Sequence, residues 1–413
     1  MHQQTQTKQL PKGWKEEKLG NVCIINPSKA EVKNLDENFE VSFIPMAYVS
    51  EDGRIISMDK RHLKEVNKGF TFFKNGDVLL AKITPCFENG KKAIAEGLTN
   101  GIGFGTTEFY VLRPQEKVIS KWLYYTVSRE DFRALAKRSM GGAVGQQRVS
   151  KTMIENFEVP IISIPGQHLI VSAIETQFTR LDEAVKSLKI VKKKIEIYRK
   201  VVLKATFSGD SWEYSKIGKI FKTSSGGTPS RANKSYYTGD TPWLKSGELM
   251  DKTNIENSEE HISKEALEKS SAKIFPIDTT LIAMYGATTG KIGIIKKECS
   301  TNQAICGIFP NQESISKFIF YYLLFKRERI VNQSRGGAQP NINQEIIKNL
   351  DFPLLSKNIQ QKIVQEIESK FSVIDKVEEI VNQSLIKAEG LRKSILKSAF
   401  EGKLITEKEI ASK

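Results

Sequence analysis

Cysteine and histidine are scarce in this chain, with four of each among 413 residues. Cys23, Cys86, Cys299 and Cys306 form no CxxC pair, so the spacing argues against a structural zinc site and the thiols read as free and buried. Long apolar runs are also missing. None approaches the ~18 residues that a spanning helix needs, and the opening MHQQTQTKQL lacks the apolar core of a signal peptide. The expected setting is the cytoplasm, without a membrane.

Catalytic signatures are equally thin. No (D/N)PP(Y/F/W) motif for adenine methylation occurs. GIGFG at Gly101 to Gly105 resembles the glycine turn that cradles a nucleotide or S-adenosylmethionine, but it precedes a strand-like segment instead of a helix. GATTGK at Gly286 to Lys291 resembles part of a phosphate loop, yet Ile292 stands where the frame demands Ser or Thr. Asp77, Glu88 and Lys91 are the nearest thing to a nuclease cluster. Glu88-Asn89-Gly90-Lys91 misses the ExK spacing, and Asp77 sits where the turn before a strand favours an aspartate, so a structural role is the sounder expectation. No catalytic constellation, metal site or resident cofactor emerges.

Positive charge is what the chain has in excess. Lys+Arg of 63 against Asp+Glu of 48 gives +15, which draws the molecule to polyanions and favours nucleic acid as partner. A generally solvated lysine-rich surface is the alternative. At 39 % hydrophobic and 27 % charged residues, the composition is that of a folded protein with room for two or three domains.

From about Gln167 to Phe207 the pattern is one long helix. Ile174, Phe178, Leu181, Val185, Leu188, Ile195 and Val202 recur at three- and four-residue steps, a heptad seam that Lys192 and Arg199 interrupt. Such a helix is roughly 60 Å long at ~1.5 Å per residue and needs a partner for its stripe. Gln360 to Phe400 supplies one, through Ile367, Phe371, Ile374, Val381, Leu385, Ala388 and Ile395. Phe178 and Phe371, Asp182 and Asp375, Leu203 and Leu396, and Phe207 and Phe400 all stand 193 positions apart, which marks a duplication.

The segments before each helix repeat with a drifting offset. Phe43 to Met46, Phe70 to Phe73, Asp77 to Ala81, Ala93 to Ala95, Thr106 to Leu112 and Phe157 to Ile162 read as strands, and Ser120 to Lys137 as one helix. Leu281 to Met284, Ile294-Ile295 and Ser300 to Phe309 are their later counterparts. The expected fold is α/β (α+β): two α/β domains at 1–165 and 209–356, helical spacers at 166–208 and 357–403, and a tail at 404–413. The spacers should pack antiparallel in a pseudo-twofold molecule. Two basic domains so related would meet duplex DNA at two half-sites of different sequence, spaced by the helices as dimeric readers space theirs over about one turn of ~34 Å.

Loops rich in Thr, Asn, Gln, Lys and Arg are the candidate readers, because these side chains donate to base edges and phosphates. In the first copy they supply Lys82, Thr84, Asn89, Lys91, Thr107, Arg138, Gln146, Gln147 and Arg148. The second copy offers Tyr285, Thr288, Thr289, Lys291, Asn302, Gln303, Arg335, Gln339 and Asn341, with Ser225, Thr228, Ser230, Arg231 and Lys245 on a further loop. Each residue alone is equally an ordinary solvated side chain. The loops as groups carry the expectation.

Over nearly its whole length the chain resembles the specificity (S) subunit of type I restriction-modification systems. The resemblance rests on the tandem domains and helices, on Gly226-Gly227-Thr228-Pro229-Ser230 followed by Pro242-Trp243-Leu244, on Gly105-Thr106-Thr107-Glu108-Phe109, and on the helix entry Ile164-Pro165-Gly166-Gln167. Lys357 to Gln360 lacks the proline that matches Pro165, so the second helix is expected to begin differently. The resemblance implies a non-catalytic reader of a bipartite double-stranded DNA site. It implies as partners two methyltransferase subunits, which use S-adenosylmethionine to methylate adenine, and two restriction/translocation subunits, which use ATP and magnesium. Lys192, Arg199 and the exposed helix faces would then dock the methyltransferases.

Overall fold

The computed structural model describes residues 10–143, 145–208, 211–333 and 342–405. The chain divides into two compact units, unit one from 1–188 with 383–413 and unit two from 189–382. Each unit therefore draws on both long helices, Ile164–Thr206 and Lys357–Phe400.

Unit one is built on an antiparallel sheet in the order Cys23–Ile25, Phe109–Pro114, Val78–Ala81, Lys92–Ile94. The run Val78-Leu79-Leu80-Ala81 is buried throughout because both faces of this strand are covered. Val78 and Leu80 join the core shared with the helices, whereas Leu79 faces Ile44 and Phe73. A second sheet, ordered Asp59–His62, Glu40–Ile44, Ile102–Gly105, Thr71–Lys74, packs on that far side. GIGFG thus supplies a strand, and no helix follows it. Asp77 is 1 % exposed; its carboxylate accepts from Lys74 N and takes the Arg113 guanidinium in two bonds of 2.8 and 2.7 Å.

Unit two repeats the plan. Thr223–Ser225, Ile305–Ile308, Thr280–Ala283, Ile292–Ile295 and Lys252–Ile255 form its main sheet, and His261–Ile262, Thr241–Leu244 and Ser300–Thr301 a smaller one. Each unit also closes with a two-stranded ribbon, Lys15–Lys18 with Glu158–Ile161 and Tyr214–Lys216 with Asp351–Pro353. Cys23, Cys299 and Cys306 are free and buried, and Cys86 is free and partly buried.

Three local expectations are corrected. Ser120 to Lys137 is two helices, Ser120–Thr126 and Glu130–Arg138, because Arg129 is extended and the second helix restarts on Glu130 and Asp131, whose charge suits a helix N-terminus. Thr106 to Glu108 is a turn, closed by the Thr106 hydroxyl accepting from Glu108 N, and the strand begins only at Phe109. Ser300 to Phe309 is likewise no single strand. Ser300–Thr301 pairs in parallel with Trp243-Leu244, while Ile305–Ile308 belongs to the main sheet, so Asn302 to Ala304 cross between sheets.

The apolar seam residues are all buried or partly buried. In unit two the helices run antiparallel, since Lys192 reaches Asn382 at 3.0 Å and Arg199 reaches back to Asp375 and Glu378, both at 2.7 Å. Arg199 also lies over the Phe371 ring. The same brace recurs in unit one, where Arg392 pairs with Asp182 and lies 4.3 Å from the Phe178 ring centroid.

A buried glutamine near the start of each long helix ties it to the segment that precedes it. Gln167, 0 % exposed, accepts from Ile119 N at 3.1 Å and donates to the Lys117 and Ile162 carbonyls at 2.8 Å each. Gln360, 1 % exposed, accepts from Ile315 N at 3.0 Å and donates to Glu313 O and Leu355 O at 2.9 and 2.8 Å. The second helix needs no proline to enter in this way.

Candidate nucleic-acid interface

Strand register decides which loops meet. Ala81 lies across from Phe109, and Ala283 across from Ile305, so in each unit the loop leaving one central strand emerges beside the loop entering its neighbour. A third segment joins them in unit one, where Thr84 N donates to Gln147 O at 2.9 Å, Gln147 N donates back to the Thr84 hydroxyl at 3.1 Å, and Val149 N donates to Lys82 O. In unit two Ile342 N donates to Met284 O and Met284 N to Ala304 O. One edge of each unit is thus a composite of loops.

On the unit-one edge stand Lys82, Thr84, Thr107, Gln146, Gln147 and Arg148. Thr107 and Gln146 are exposed, and Lys82 lies over the Tyr110 ring at 5.4 Å. Arg148 is paired with Glu108 at 2.8 Å, and that guanidinium holds Glu108 below the usual carboxylate range. Asn89 and Lys91 turn toward a neighbouring loop, bonding Glu51 at 2.8 Å and Met46 O at 3.1 Å. Arg138 is exposed on the last turn of its helix.

In unit two Gln303 is the meeting point of three loops. Thr228 donates its hydroxyl to Gln303 Oε1, and Tyr285 hydrogen-bonds the same carboxamide. Among the described residues Asn302 Oδ1 beside it is buried without a hydrogen-bond partner. The two glycines before Thr228 let the backbone come this close, since a Cβ on Gly226 would lie 2.3 Å from Thr301 O and one on Gly227 2.3 Å from Ser271 O. Ser225 bonds Gln344 at 3.2 Å, and Ser230 is exposed. Arg231 stacks 4.1 Å from the Tyr237 centroid and pairs with Glu260 at 2.6 Å. Glu260 also takes Lys245, which holds Glu259 as well, and its carboxyl is kept low chiefly by Arg231. Thr289 donates to Gly286 O, Thr288 O accepts from Lys291 N, and the Lys291 ammonium is bound at 2.9 Å by Asp251, which Arg327 also holds. Arg335, Gln339 and Asn341 lie outside the described residues.

The cations chosen for DNA contact are therefore of two kinds. Lys291 and Arg231 sit in shared networks, with Arg327 on Asp251 and with Lys245 on Glu260, whereas Arg148 is an exposed single pair whose partner a phosphate could replace. Glu108, Asp251, Glu259 and Glu260 are the participants that loop composition did not reveal; a search for basic and amide side chains passes over carboxylates. Arg199 and Lys192 face the opposing helix in the seam. Among the described residues no group of three or more His, Cys, Asp or Glu side chains is placed to hold a metal ion, and no helix is long and apolar enough to cross a membrane.

Comparison with known proteins identifies the family and the fold. The specificity subunit of the type I restriction enzyme EcoAI from Escherichia coli is 41 % identical over 176 residues, which cover 42 % of this chain and 28 % of that subunit. The chain thus spans little more than a quarter of the length of that relative. A chain solved in work on complex assembly and conformational transition of the type I R-M system superposes with a TM-score of 0.81 at 18 % identity, covering 96 % of this chain and 99 % of the other. The HsdS subunit from Thermoanaerobacter tengcongensis does so with a TM-score of 0.63 at 17 % identity, over 96 % and 99 % of the two chains. The family described as "Type I restriction modification DNA specificity domain" matches residues 11–193 and 209–388. With two copies of that domain over most of its length, the chain belongs to the family of type I restriction-modification DNA specificity subunits.

Proposed function

We propose that this chain reads an asymmetric, two-part sequence of double-stranded DNA, one half with each unit, and so directs adenine methylation or ATP-dependent restriction by partner subunits. The observation that carries the reading is the loop edge, built at the same strand ends in both units yet lined by different side chains. Segments 1–165 and 209–356 are the readers, and 166–208 and 357–403 set the interval between half-sites. The chemistry belongs to two methyltransferase subunits using S-adenosylmethionine and two restriction/translocation subunits using ATP and magnesium.

Docking of the methyltransferases is supported by apolar side chains left open on the helices. In unit two Ile197 (60 % exposed) and Val201 lie four apart on one helix, and Val373, Val377 and Ile380 (62 % exposed) follow at steps of four and three on the other. Such a stripe suits a further amphipathic helix. Arg199 and Lys192 are occupied within the seam, so the open stripe is the better docking surface.

A methylation map of DNA from cells expressing this chain with and without a cognate methyltransferase subunit tests the proposal. A split, asymmetric adenine motif present only with both proteins is the expected result. Methylation by this chain alone, or a single undivided motif, overturns it.

A further inference from the structure

A cleft of about 430 Å³ in unit two opens between the helices Ser316–Gln333 and Gln344–Lys348 and the ribbon of Tyr214–Lys216 with Asp351–Pro353. The acids in its walls already have partners there. Asp351 takes Lys216 at 2.6 Å, and Glu345 accepts from the Asn349 carboxamide at 2.9 Å. Asn343 Oδ1 is likewise engaged, accepting from Ile346 N at 2.9 Å. Lys326, Arg329 and Gln333, which line the cleft from one helix, are left over. Among the described residues no side chain of the three makes a hydrogen bond or an ion pair, and the partly buried Lys326 ammonium meets only the Tyr322 and Phe325 rings, 5.4 and 4.6 Å from their centroids.

The duplicate shows what the fold requires here. Phe157 O accepts from Leu19 N as Leu350 O accepts from Ile217 N, which sets Leu350, in the cleft wall, against Phe157. Gly90 lies against Arg133 as Gly290 lies against Arg327, which sets Lys326 against Phe132 and Arg329 against Leu135. In unit one Phe132 is fully buried and crosses Phe157 edge-on at 5.0 Å. The fold thus accepts apolar side chains at both positions, and where unit one has an aromatic contact unit two has a cleft with two cations. A partly buried ammonium without a counter-ion destabilises the fold. An anion from outside would offset the penalty.

We propose that Lys326 and Arg329, in the cleft beside the helix Gln344–Lys348, form a binding site for a phosphate-class oxyanion, either free in solution or carried on a DNA backbone. Their uncommitted groups are donors only, which excludes a metal cation, and the guanidinium fork matches the oxygens of a phosphate. The cleft borders the loop edge, because Ile342 N, next to Asn343 in its wall, donates to Met284 O.

Calorimetric titration of the full chain with inorganic phosphate at pH 7, repeated on Arg329→Leu, is the first test. The variant copies Leu135 of the duplicate, so it should keep the urea midpoint while phosphate affinity falls at least tenfold. Lys326→Gln serves if it does not fold. Lys297→Gln, at an exposed lysine outside the cleft, should leave the affinity unchanged, and an equal fall there overturns the site. The source is read from DNA of random sequence. A log–log salt slope lowered by about 0.9 in Arg329→Leu assigns the site to a backbone phosphate, and an unchanged slope with phosphate binding lost assigns it to free phosphate. A variant that alters neither phosphate affinity nor the slope overturns the proposal. Should the chain bind no DNA, the reading under Proposed function fails while the phosphate titration still decides this one.

Discussion

Replacing Gln167 by leucine removes three hydrogen bonds from a side chain with no exposed surface. It leaves one backbone N–H, on Ile119, and two carbonyls, on Lys117 and Ile162, facing an apolar group of similar volume. Each unsatisfied buried group costs about 1–3 kcal/mol, and carbonyls with a second lone pair fall toward the low end, so the loss should be ~3–5 kcal/mol. Against a stability of about 5–15 kcal/mol for an ordinary domain, that is severe. Urea unfolding should show a lower midpoint with an unchanged slope, and amide exchange at Ile119 should accelerate with it. Gln167→Glu sharpens the test. It keeps the acceptor for Ile119 but turns the donor end into an anion against two carbonyls, so it should be at least as damaging at neutral pH. Gln360→Leu should reproduce the effect in unit two, with Ile315 as the reporting amide. A loss below about 1 kcal/mol, or unaltered exchange at Ile119, would refute the claim that the glutamine anchors the helix.

Acid stability should depend on Asp251. Burial opposes its ionisation, but Lys291 and Arg327 hold its pKa below the usual value, so its contribution is present above about pH 4 and is lost as pH falls through the folded value. Asp251→Asn should flatten that part of a stability–pH curve measured by chemical denaturation. Lys82→Ala should weaken binding to all DNA sequences alike and lower the salt slope by about 0.9; a change confined to one sequence would make Lys82 a base reader. Gln303→Leu should instead relax one position of the second half-site, with discrimination falling by about 1–3 kcal/mol in competition binding. Ile380→Glu should leave the urea midpoint of the isolated chain unchanged and abolish copurification with a methyltransferase subunit, because the side chain is 62 % exposed.

Periodic features were legible without coordinates because they repeat at short range. A heptad seam shows its period within one segment, and all of its named apolar residues are buried or partly buried. The run Val78 to Ala81 announced a strand covered on both faces. The structural role expected of Asp77 likewise matches its bonds to Lys74 N and Arg113. Element breaks were harder to see. Trp122, Phe132 and their neighbours keep a helical period straight through an extended Arg129, because two consecutive helices can bury the same face.

Long-range placement is where the chain alone falls silent. That Thr84 lies on Gln147, or Thr228 on Gln303, depends on strand register and on glycines that admit close backbone approach; neither is encoded locally. The fate of each cation was equally hidden. Lys291 and Arg148 look alike as basic loop residues, yet one shares the Asp251 carboxylate with Arg327 and the other holds Glu108 as a single pair. The amino-acid sequence by itself determined the duplication, the two helices and their seam, since these follow from the spacing of apolar residues. Only the tertiary structure decided which loops share an edge, which charges are free to meet a phosphate, and that Gln167 and Gln360 anchor the helices. Those depend on contacts between residues far apart in the chain, where burial sets the strength of each polar interaction.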